Sequence, residues 1–100
     1  MKYVVSFEEE AEYEYLEAIA WYEKECAGLG MELLLEVENS LDTLRLNAYF
    51  EIRYLDLRLL NVKRFPYQLI YRLTGNEIKI VSFFHGHRDP EIWKKNKNGR

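Results

Sequence analysis

The sequence predicts an α+β fold: an N-terminal strand, then an antiparallel helical hairpin packed on one face of a small antiparallel sheet. Three observations carry this prediction. Apolar residues recur at intervals of three and four through the first half of the chain, the period of a helix with one buried stripe. Near residue 50 the interval falls to two, the period of a half-buried strand. Gly28-Leu29-Gly30 interrupts the helical half, and so short a connection folds two helices back on each other. The 100 residues are 48% hydrophobic and 15% aromatic, enough for one core and too few for two, so residues 1–100 form a single domain with a basic tail from about 94 to 100.

Tyr3 to Phe7 reads as the first strand. Residues 8 to 26 read as the first helix, with Ala11, Tyr15, Ala18, Tyr22 and Cys26 in one stripe that Leu16 and Ile19 widen. Ser6 and Glu9 fit a capping box, and the glutamates that follow suit the positive end of the helix dipole. The second helix runs from about Met31 to Leu46 and buries Leu33, Leu34, Val37, Leu41 and Leu44, with Asn47 as its stop. Phe50 to Leu55 and Leu57 to Phe65 are short apolar runs of strand character, and Phe65-Pro66 breaks the second. Tyr67, Leu69, Tyr71 and Leu73 then alternate with Gln68, Ile70 and Arg72. Thr74-Gly75-Asn76-Glu77 makes a hairpin turn into a last strand, where Ile78, Ile80 and Ser82 alternate with Lys79, Val81 and Phe83. Glu91 to Arg100 reads as a charged helical turn leading into the tail.

Charge is unevenly divided. Residues 1–50 hold twelve acidic side chains against three basic, a net −9, and residues 51–100 hold eleven basic against five acidic, a net +6. A basic half meets either phosphates or the acidic segment of a protein partner, unless the two halves satisfy each other. No apolar run approaches the ~18 residues of a membrane span, and Glu8-Glu9-Glu10 so soon after Met1-Lys2-Tyr3-Val4-Val5 argues against a signal peptide, so a cytoplasmic location is expected. Cys26 is the one cysteine, so no internal disulfide forms.

The densest polar cluster is His85-Gly86-His87-Arg88-Asp89-Pro90. His-x-His before an aspartate invites a metal reading, but the chain has two histidines in all, and neither Cys26 nor any glutamate stands at ligand spacing. No metal and no cofactor are expected. A structural reading makes Asp89 the cap of the next turn with Pro90 at its first position. A catalytic reading pairs a histidine that moves a proton with arginines that clamp a phosphate, and Lys63, Arg64, Arg72 and Arg88 all fall in the sheet half. RNA is cut without metal when its own 2′-hydroxyl is the nucleophile, so positioning, a base and charge stabilisation suffice. Trp21, Tyr22, Tyr67 and Trp93 are aromatic candidates for partner contact, since such side chains combine large area with a polar edge.

In order along the chain, Ala18-Ile19-Ala20-Trp21-Tyr22-Glu23, Gly28-Leu29-Gly30, the Leu33 to Leu44 stripe, Val62 to Arg72 and Phe84 to Trp93 make the sequence resemble the RelE/ParE superfamily of type II toxin–antitoxin toxins, closest to its ParE-like, plasmid-stabilisation branch. The resemblance spans residue 3 to about 95. It implies a compact toxin silenced by a cognate antitoxin that wraps a helix and an extended segment over it. It also implies one of two targets: ParE-like members inhibit DNA gyrase and are not nucleases, whereas RelE-like members cut mRNA in the ribosomal A site. In the RNA-cutting branch an arginine commonly follows the central-strand tyrosine, where this chain has Gln68, and the late tyrosine of that branch aligns with Trp93. Arg88 matches a late arginine, and Lys63-Arg64 falls where that branch is basic. The expectation is therefore a gyrase inhibitor that works by protein contact. The alternatives are a ribosome-dependent endoribonuclease using His85 or His87, Arg88, Lys63 and Arg64, or an inactive toxin-derived binding module. A fold hosts many targets, and the resemblance does not select one.

Overall fold

A computed structural model describes residues 3–86 of the chain. Its elements run β1 (Val4–Phe7), α1 (Glu9–Glu25), α2 (Leu29–Leu46), β2 (Ile52–Tyr54), β3 (Leu57–Asn61), β4 (Tyr67–Thr74) and β5 (Glu77–His85). The two helices pack on one face of a five-stranded sheet of order β1-β5-β4-β3-β2. The expected architecture is present, with one refinement: the sheet is mixed. β2 to β5 pair antiparallel, but β1 returns to pair parallel with β5, Val5 opposite Ile78 and Phe7 opposite Ile80. Parallel strands need a long connection, and α1, α2 and β2 to β4 all lie between β1 and β5.

Ala11, Tyr15 and Ala18 of α1 and Leu33, Val37, Leu41 and Leu44 of α2 are buried against Leu69, Tyr71, Ile78, Ile80 and Phe83. Leu16 does not widen the α1 stripe as expected. It lies outside the Ala11–Tyr15–Ala18 arc and is 56% exposed, and Cys26 is also exposed beyond the end of the helix. The Ser6–Glu9 capping box is absent as well. Ser6 is drawn into β1, and Glu8 becomes the N-cap without a side-chain capping hydrogen bond.

The glycine turn is tighter than the sequence implies. Gly28, at φ +90°, is the N-cap of α2, and Gly30 already lies within that helix. Glu23 of α1 reaches across to cap it, accepting from the Gly28 N–H at 2.8 Å and the Gly30 N–H at 3.0 Å. One carboxylate thus satisfies two of the orphan donors at the positive end of α2. A Cβ on Gly30 would stand 2.7 Å from the Ile19 carbonyl oxygen, so the missing side chain is what lets the helices approach.

The β4–β5 hairpin turns through Gly75 and Asn76, with only Gly75 at positive φ. Simple alternation fails at the middle of β5. Ile80 is opposite Tyr71 and Ser82 is opposite Ile70, leaving Val81 as an extra residue in a β-bulge. After the bulge Phe83 joins Ile78 and Ile80 on the helix-covered face, while Val81 and Phe84 join Leu57 and Ile70 in a second cluster on the other. The strand is therefore apolar on both sides. Glu14 of α1 stabilises the irregularity, its Oε1 accepting from the Phe83 N–H at 3.0 Å and the Ser82 hydroxyl at 3.3 Å.

Candidate functional site

The bulge decides where His85 goes. Without it, His85 would share a face with Lys79 and Val81; with it, His85 lies opposite Tyr67 on the helix-covered face. There it lines a hollow of about 330 Å³ with Glu17, Ala18, Trp21, Tyr22 and Tyr67. The walls come from three elements at once: α1 supplies Glu17, Ala18, Trp21 and Tyr22, while the start of β4 and the end of β5 supply Tyr67 and His85.

These rings form a connected set. Tyr67 stacks on Phe83 at 4.5 Å between centroids and 10° between planes, and meets His85 edge-on at 5.1 Å. Tyr22 stands nearly perpendicular to Phe65 at 5.2 Å and to Tyr67 at 6.2 Å, and Trp21 stands perpendicular to Tyr22 at 5.0 Å. Contacts from Tyr15 to Phe83 and from Phe7 to Tyr15 continue the series into the core. Edge-to-face and stacked pairs of this kind hold rings in fixed orientations. Tyr22 and Tyr67 are half-buried, whereas Trp21 is 56% exposed. Three of the four aromatic candidates thus converge on one hollow. Trp93 lies outside the described residues, as do His87, Arg88, the proposed Asp89 cap and the turn over 91–100.

The basic candidates sit elsewhere. Arg64, in the β3–β4 loop at φ +69°, bridges to α2, its guanidinium 2.5 Å from Glu32 Oε1 and 3.0 Å from Glu36 Oε2. Those two hydrogen-bonded carboxylates raise its pKa above the ordinary guanidinium value. The guanidinium also lies 5.7 Å from the Phe65 ring centroid. Lys63 lines a separate hollow beside α2 with Glu36, Asn39 and Thr43. Arg72 donates to Asp56 at 2.7 Å, which holds that carboxyl below its usual range. Gln68 is opposite Phe84 and donates to Asn61 at 3.2 Å, on the sheet face away from His85. Part of the charge division is therefore satisfied inside the molecule, by the Arg64 bridge between the halves.

Sequence reasoning missed three carboxylates. Glu17 lies one helical turn before Trp21, and that i, i+4 spacing was a readable sign that the two share a face. Glu14 acts through partners 68 and 69 residues away, and Glu23 through the Gly28 and Gly30 amides of the adjoining turn. Among the described residues no group of three or more His, Cys, Asp or Glu side chains is placed to hold a metal ion. None of the described helices is long and apolar enough to cross a membrane.

No protein-family model matches the sequence, and no curated protein matches it. Solved structures do match. A chain of the chromosomal ParDE TA system from P. aeruginosa superposes with a TM-score of 0.73 at 15% identity, over 84% of this chain and 96% of that one. The isolated E. coli RelE toxin superposes with a TM-score of 0.64 at 16% identity, over 98% of this chain and 99% of that one. The chain therefore has the RelE/ParE toxin fold, as the sequence resemblance implied.

Proposed function

We propose that this chain is the toxin of a type II toxin–antitoxin module, held silent in the cytoplasm by a small antitoxin protein, and that it acts by protein contact on DNA gyrase. The fold likeness supports the toxin role. The observation that carries the choice of target class is the composition of the His85 hollow. Its walls are three large aromatic side chains, a carboxylate and an imidazole, while Arg64 and Arg72 are each held by carboxylates elsewhere. A phosphodiester entering this hollow meets Glu17, whose charge opposes a phosphorane-like transition state rather than stabilising it. A partner protein meets the exposed Trp21, backed by Tyr22 and Tyr67, the side-chain types that dominate binding energy at protein interfaces.

The likeness to RelE, which runs over almost the whole of both chains, favours mRNA cleavage as the second reading. Controlled expression separates the two when DNA damage response and mRNA integrity are followed in parallel, alongside supercoiling by purified gyrase. Gyrase inhibition is expected, and a substantial part of it is kept when His85 and His87 are both replaced by alanine. Gln68→Arg is expected not to raise RNA cleavage. Ribosome-dependent mRNA cleavage that Arg88→Ala abolishes would overturn the proposal.

A further inference from the structure

We propose that the hollow formed by Glu17, Trp21, Tyr22, Tyr67 and His85 is a subsite for one basic side chain, arginine or lysine, of a partner polypeptide. This rests on the reading of the chain as one that works through protein contact, and it adds the chemistry of what is contacted. Aromatic rings carry negative charge on their faces, and a cation within about 6 Å of a ring centroid is attracted to it. Here Trp21 from α1 and Tyr67 from β4 stand on different walls of one hollow, with Glu17 beside them one turn before Trp21. Rings plus a single carboxylate suit a guanidinium or an ammonium and disfavour a carboxylate or phosphate. At about 330 Å³ the hollow accommodates a long side chain but not a folded element.

The surroundings have the same sign. Tyr13, Leu16 and Trp21 are apolar side chains on the solvent side of α1, each more than half exposed. Glu9, Glu10 and Glu12 occupy the first turn of that helix, and Lys24 is the basic residue of its last turn. A partner segment lying along the exposed side of α1 gains most if it is amphipathic with basic flanks. This differs from the pairing that the charge division alone implies, in which the basic half of this chain meets acidic segments. Arg64, one of the cations on which that pairing depends, is bound to Glu32 and Glu36.

The test is an NMR titration of the full chain with N-acetyl-arginine methylamide, against N-acetyl-glutamate methylamide as control. The arginine derivative is expected to move the Trp21 indole and the Tyr67 and His85 ring signals, and the glutamate derivative to leave them in place. Glu17→Gln and Trp21→Ala are each expected to weaken the arginine derivative about fivefold. Both positions are exposed on α1, and unchanged signals elsewhere verify the fold. Equal response to both derivatives, no shift at those rings, or undiminished binding by Glu17→Gln would overturn the proposal. Growth arrest, scored separately, distinguishes the failures. Selective binding without arrest or neutralisation leaves the subsite standing and removes the toxin reading. Arrest neutralised by a co-expressed antitoxin, with no selective binding, does the reverse.

Discussion

Replacing Glu14 by alanine tests what holds the β5 bulge, and through it the position of His85. Glu14 Oε1 accepts from the Phe83 N–H at 3.0 Å and from the Ser82 hydroxyl at 3.3 Å, and Phe83 is only 3% exposed. A hydrogen bond to a charged group contributes about 1.5–3 kcal/mol, and a buried donor left without a partner costs about 1–3 kcal/mol. These describe the same event from two sides, so Glu14→Ala is expected to cost about 2–3 kcal/mol. Out of a typical 5–15 kcal/mol that is a large fraction, and for a chain of this size it lowers Tm by about 10–20 °C. Glu14→Gln retains an acceptor oxygen without the charge and is expected to lose only about 1 kcal/mol. Urea denaturation gives the two values, and hydrogen exchange at the Phe83 amide reports the bond itself. In Glu14→Ala that amide should exchange faster, and the Tyr67–His85 ring contact should weaken as β5 loses its offset. If both variants fall within about 0.5 kcal/mol of the parent with Phe83 still protected, strand pairing alone sets the bulge and the argument fails.

Gly30→Ala is expected to cost about 1–3 kcal/mol by thermal denaturation, because the new methyl meets backbone at the Ile19 carbonyl rather than a movable side chain. Tyr71→Phe is expected to lose about 1–2 kcal/mol, since it strands the Ala48 carbonyl that the Tyr71 hydroxyl meets at 2.7 Å in the core. Tyr15→Phe is expected to be neutral or stabilising in the same measurement, because its buried hydroxyl has no hydrogen-bond partner among the described residues. Burial, with the nearby Glu38 charge adding to it, pushes the Tyr15 phenol up to about 12 from an ordinary value of 10. The raised folded-state value means that stability linked to this group is intact below pH 10 and is lost as pH rises towards and through about 12. The difference between parent and Tyr15→Phe should therefore shift in favour of the variant across that interval, and a flat difference would refute the burial.

Helix and strand positions were legible because each buries one periodic face, and Ala11, Leu33, Val37 and Leu44 behave as their spacing requires. The errors fall where a tertiary partner overrides a local pattern. Ser6 has the residue type of an N-cap, but β5 offers its backbone a ladder and the sequence before α1 extends into β1. Alternation in β5 holds through Ile80 and then reverses at the bulge, where Ser82 and Phe83 meet a carboxylate 68 and 69 residues earlier. That reversal is also why the candidate site was only partly readable: Trp21, Tyr22, Tyr67 and His85 were each identified, but their meeting in one hollow follows from a register that no single strand encodes. Arg64 looked like a phosphate ligand by residue type, and its carboxylate partners lie 28 and 32 residues away on α2.

The parallel pairing of β1 with β5 joins the two ends of the fold, Val4 standing opposite Glu77 and Phe7 opposite Ile80. On a ribosome adding ~5–20 residues per second, the first strand emerges several seconds before the strand that completes it exists. The helical hairpin must likewise wait, since its buried stripe packs on residues from β4 and β5. Closure across so long a loop is entropically costly before it is rewarded, which makes assembly slow and cooperative. A nascent or truncated chain lacking β5 has neither a partner for β1 nor a place for His85. The hollow therefore comes into being only once β5 has joined the sheet, after the helix and strand that supply its other walls have been made.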